Sequence, residues 1–167
     1  MATLREKYPL ENRKPLKKTL ARVWSFVPIF IFFILPMIIF IPSDNLPIFL
    51  SKALISWLIA VMFLIISVAM YIYEVFYMKY YFYDIVGSTL IIKKGVFSRN
   101  EICLPFNRLQ DVYVDQDIWD RIFGLYDVHV SSATFISGWL SHIDGVNKEN
   151  SEIIKDLILE KINKHGE

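Results

Sequence analysis

The sequence predicts a membrane α-helical hairpin of two transmembrane helices, followed by a small β-rich domain capped by a C-terminal helix. Three observations carry that reading: two long uncharged runs, a change to short alternating patterns after residue 79, and one amphipathic segment near the end. Of the 167 residues, 54% are hydrophobic and only 21% charged, and the apolar excess lies between Val23 and Tyr77.

Val23–Ile41 contains no charge, and at ~1.5 Å per residue it reaches across a hydrocarbon core of about 30 Å. Pro28 and Pro36 are tolerated in a bilayer as kinks. Ala53–Tyr73 is a second uncharged run. The turn-forming residues of Pro42–Lys52 make the two helices antiparallel. No small-x-small cleavage site follows the first run, which argues against a signal peptide. The domain division is therefore 1–22, a basic cytoplasmic tail; 23–77, the hairpin; and 79–164, the cytoplasmic domain.

Charge sets the orientation. Residues 1–22 hold seven basic and two acidic groups, whereas residues 79–167 hold ten basic and thirteen acidic. The basic bias of the tail predicts a multi-pass plasma-membrane protein with both termini cytoplasmic. An acidic soluble part gives no footing for nucleic acid.

In the domain, Tyr80–Ile85 and Thr89–Lys93 read as strands around a turn at Val86-Gly87-Ser88. Val96–Phe106 is extended, with Ile102, Leu104 and Phe106 on one face. Cys103, the sole cysteine, is expected to be a small core residue. Val112 and Val114, then Val128 and Val130, mark half-buried strands. Asp117–Gly124 suits a short helical turn ended by a left-handed glycine. Glu149–Lys164 places Ile153, Ile154, Leu157, Ile158 and Ile162 on one helical face.

Three blocks then stand out in order: Gly95-Val96-Phe97; Leu104-Pro105-Phe106-Asn107-Arg108-Leu109-Gln110-Asp111-Val112; and Arg121-Ile122-Phe123-Gly124-Leu125 before a valine-rich strand. With the upstream hairpin they resemble the YdbS-like family of prokaryotic membrane proteins with a pleckstrin-homology-like (PH-like) domain. The resemblance implies a seven-stranded PH-like β-barrel capped by a C-terminal α-helix. It also implies a link to cell-envelope stress and to tolerance of membrane-active antimicrobial peptides. The departure is Thr134–Leu140, which is unusually apolar.

Phe123 and Leu125 are expected in the core, and Arg108, Gln110 and Arg121 are expected to tie loops together. Asp111, Asp115, Asp117 and Asp120 lack the glycine and glutamate positions of a calcium loop. His129, His142 and Cys103 show no pair at zinc-ligand spacing. No nucleophile elbow or phosphate loop occurs, so no enzyme, cofactor or metal is expected. The expected function is a membrane-anchored interaction or assembly module at the inner face of a prokaryotic plasma membrane. Its expected partners are membrane lipids together with further copies of itself or a related PH-like membrane protein. Interface candidates are Phe135, Ile136, Trp139 and Leu140. The alternative is lipid-headgroup recognition, with Lys93, Lys94 and Arg99 as contacts.

Overall fold

The computed structural model describes residues 2–40, 52–132 and 141–165. Its first helix, α1 (Leu4–Lys7), is closed by a reciprocal cap between Thr3 and Glu6. Helix α2 (Lys14–Ile29) continues through a π turn (Phe30–Ile34) into α3 (Leu35–Phe40). The π turn lies between Pro28 and Pro36, where missing N–H donors disturb the regular ladder. Helix α4 (Lys52–Tyr80) packs against α2. Among the described residues one helical stretch, Leu54–Tyr80, is long and apolar enough to cross a membrane. The expected connection Pro42–Lys52 lies outside the described residues except for Lys52.

The domain begins two residues after α4. Strands β1 (Phe82–Val86), β2 (Thr89–Lys94) and β3 (Asn100–Pro105) form one antiparallel sheet. A 3-10 turn (Phe106–Arg108) leads to β4 (Leu109–Asp115), β5 (Tyr126–Ser132) and β6 (His142–Val146), a second antiparallel sheet. Helix α5 (Ile118–Phe123) joins β4 to β5, and α6 (Lys148–His165) follows β6 and packs on β4, β5 and the 3-10 turn. Leu90, Ile92, Leu104, Val128, Ile143 and Ile158 belong to the shared core. The described residues thus hold six strands in two sheets and the C-terminal helix, where the resemblance implied seven strands.

Local expectations are largely met. Gly87 turns β1 into β2, and Asp117 caps α5 while Gly124 ends it at φ 67°. Leu125 is fully buried and Phe123 half-buried. Cys103 is a correction: it is exposed, because period-2 alternation puts it on the face opposite buried Leu104. Strand β6 shows no alternation in sequence, since Ile143, Asp144, Gly145 and Val146 are all buried.

Residues 1–22, expected as a separate tail, pack into the domain from residue 4 onward. Leu4 and Leu10 are core residues. The Leu4 N–H donates to Asp84 Oδ1 (2.9 Å), and the Arg5 guanidinium donates to the Met78 and Lys79 carbonyls, capping α4. The Glu11 N–H donates to the Gly145 carbonyl (2.9 Å).

Candidate functional site

Lys14, Lys17 and Lys18 are spaced i, i+3, i+4, which puts them on one face of α2. That face lies against the domain, and carboxylates from three elements meet it. Asp120 comes from α5, Asp127 from β5 and Asp144 from β6. Lys17 Nζ lies 2.5 Å from Asp120 Oδ1 and within 3.9 Å of both Asp127 and Asp144. Lys18 Nζ sits 2.7 Å from Asp144 Oδ2. Lys14 Nζ donates to the Asp144 carbonyl at 2.8 Å and lies 4.1 Å from the centroid of the Tyr81 ring. One turn above Lys18, Arg22 pairs with buried Glu74 of α4 at 2.6 Å.

Lys14, Lys17, Asp120 and Asp144 are almost wholly withdrawn from water, with Lys14 and Lys17 1% and 2% exposed, while Lys18 is half-buried. Isolated charges at such depth are costly, so each must find a partner. Burial pushes the Lys14 ammonium down and the Asp120 carboxyl up. Burial and the neighbouring Asp144 push Asp127 up to about 7. Asp144 goes the other way: burial opposes its charge, yet Lys14 and Lys18 hold it well below the carboxylate range. Asp144 is therefore the anionic centre of the junction.

Tyr81 lies between two cations. Its hydroxyl donates to the His142 carbonyl (2.5 Å), and Lys94 Nζ is 5.3 Å from its ring centroid. Lys94 Nζ also approaches His142 Nδ1 at 3.5 Å. Burial, then the nearby Lys14 charge, lowers Lys94 to about 7, and burial with Lys94 lowers His142 to about 3.

The expected lipid contacts separate accordingly. Lys94 is 6% exposed and faces the interior of the domain, which removes it from any headgroup surface. Lys93 is exposed and pairs with Glu101 at 3.1 Å, while Arg99 lies over the Tyr80 ring at 5.6 Å. Phe135, Ile136, Trp139 and Leu140 lie outside the described residues. Arg108 and Gln110, expected to tie loops, are exposed and line a groove of about 510 Å³ with Cys103, Pro105, Asn107 and Ser132. Strand pairing brings Asp115, Asp127 and His129 within 4.8 Å of one another, a geometry suited to a cation. Asp127 is already engaged there by the Gly145 N–H (2.8 Å) and by Lys17.

The model of the bacterial PH domain family matches residues 29–162, which includes both sheets and α4. The chain belongs to that family. No curated protein and no solved structure gives a significant match. The match begins after Arg22, so the lysines of the junction precede the matched part of this bacterial PH domain, while their aspartate partners lie within it. The i, i+3, i+4 spacing was the sequence signal for this site. Nothing local points to acceptors over a hundred residues away, so the count of basic groups alone reads as topogenic.

Proposed function

We propose that this bacterial PH domain is a membrane-anchored interaction and assembly module, not an enzyme. Both apolar runs cross a prokaryotic plasma membrane as a hairpin, with both ends cytoplasmic. The domain docks a second copy or a related PH-like membrane protein at the inner face. The YdbS-like resemblance favours a setting in envelope stress or antimicrobial-peptide tolerance.

The observation that carries this reading is the buried ionic junction. Together with Arg22–Glu74, it fastens the domain to the helices, so the domain needs no lipid affinity to stay at the membrane. Lys94 is used internally and Lys93 is paired, which weakens the headgroup alternative. Among the described residues β3 and β4 are edge strands beside the Arg108–Gln110 groove. Unpaired strand edges accept extended segments of a partner through backbone hydrogen bonds.

Photo-crosslinking residues at Arg108 and Gln110 of the full chain, in native membranes, test the proposal. Adducts with a second copy or a related membrane protein are expected. If those positions yield no protein adduct, and Lys93→Ala with Arg99→Ala abolishes retention of anionic lipid, headgroup recognition is the better account.

A further inference from the structure

Two apolar projections of the domain stay largely exposed, and each leans on a different helix. Phe97, at the tip of the β2–β3 loop, is 91% exposed, and its ring stacks on Tyr73 of α4 with centroids 6.2 Å apart. On α5, Ile118 and Ile122 are 76% and 66% exposed and share one face at i, i+4. Beside them Trp119 meets Trp24 of α2 edge-to-face at 6.3 Å.

Trp24 and Tyr73 stand at one level of the helix pair. Arg22 and Glu74, their near neighbours in sequence, form the ion pair between α2 and α4. Beyond that level the first run is uncharged to Phe40, and α4 is uncharged back to Ala53. The ion pair therefore marks where the polar part of the helices ends. Tryptophan and tyrosine at such a boundary suit the headgroup region of a bilayer. Exposed isoleucine and phenylalanine at the same level would be costly in water. Arg99, two residues after Phe97, and Arg121 on α5 are exposed cations that suit an anionic leaflet, with exposed Asp117 the acidic neighbour at the start of α5.

We infer that Phe97 and the Ile118–Ile122 face of α5 insert into the headgroup–acyl boundary of the inner leaflet as two interfacial anchors. This inference rests on the membrane-crossing reading above. The recognised partner is the lipid surface itself, through apolar insertion, not a specific headgroup. Two anchors, one leaning on α4 and one on α2, fix the tilt of the domain and leave the Arg108–Gln110 groove free.

Depth-dependent quenching tests it, using the full chain carrying Cys103→Ser in vesicles of phosphatidylethanolamine and phosphatidylglycerol. Single fluorophores are placed through Phe97→Cys, Ile118→Cys, Leu64→Cys and Val86→Cys. Leu64 is an exposed residue within α4, and Val86 is exposed at the far end of β1. The expected result is shallow-lipid quenching at positions 97 and 118, deep quenching at 64 and none at 86. If 64 is quenched but 97 or 118 behaves like 86, the anchors fail while the span stands. If 64 is not quenched by lipid, the membrane-crossing reading fails, and the anchors with it. If 97 and 118 are shielded from an aqueous quencher without lipid quenching, a protein covers them and the inference is overturned.

Discussion

Lys17 Nζ and Asp120 Oδ1 stand 2.5 Å apart, with 2% and 1% of their side chains exposed. The pair joins α2 to α5 in the interior. Removing one partner from such a pair costs roughly 3–5 kcal/mol, because the other charge is left buried alone. Lys17→Met is therefore expected to lower stability by about that amount. The double variant Lys17→Met with Asp120→Leu should recover much of the loss. Denaturant unfolding of the full chain in detergent measures the cycle; equal losses in single and double variants would count against the pairing.

Gly145 gives a second test of the docked helix. Its φ is 81°, and a Cβ there would lie 2.7 Å from Lys14 Cδ. Gly145→Ala thus meets both a left-handed backbone and the Lys14 stem, whereas Gly124→Ala meets only the backbone, with open space around it. The Gly124 change is expected to cost about 1 kcal/mol. The Gly145 change should cost more, and shortening Lys14 should not worsen the Gly145 variant as it does the parent. Thermal melting of the set decides this.

Lys94 sets a pH dependence. Burial lowers its folded pKa to about 7, so above that pH the unfolded chain binds more protons than the folded one. Stability then rises as pH increases from 7 toward the ordinary lysine value of 10.5. The buried Lys14 acts in the same direction. Lys94→Met should melt higher than the parent at pH 7, and its profile from pH 7 to 10 should be flatter. A parent that loses stability over that window would contradict the burial of these ammonium groups.

Residues 2–22 complete the domain. Leu4 and Leu10 fill its core, and Arg5 caps the end of α4. Residues 79–167 alone are expected to lose cooperative melting, while a full chain keeps it. A sharp transition for the isolated segment would show that the N-terminal residues are dispensable.

How legible this was in the sequence differs by element. The β1–β2 turn, the Asp117 and Gly124 ends of α5, and the apolar face of α6 are local signals, set by backbone conformation and periodicity. β6 was hidden because Asp144 and Gly145 occupy positions where a strand usually shows apolar alternation. Their presence makes sense only beside Lys14, 130 residues earlier. The basic residues of α2 carried two meanings, orientation and pairing, and composition alone reports the first. In sequence Lys94 reads as a surface cation, because nothing near it shows that Tyr81 and His142 enclose it.

The ion pairs of Lys17, Lys18 and Arg22 are expected to hold the domain and the helix pair as one rigid body. Electron–electron distance measurement between spin labels at Ile66 of α4 and Asn107 beyond β3 tests it directly. The full chain carries Cys103→Ser and sits in lipid nanodiscs. A single narrow distribution is expected, broadening when Lys17 and Lys18 are both replaced by methionine. A broad distribution in the parent, unchanged by those replacements, would show that the ion pairs do not fasten the domain to the helices.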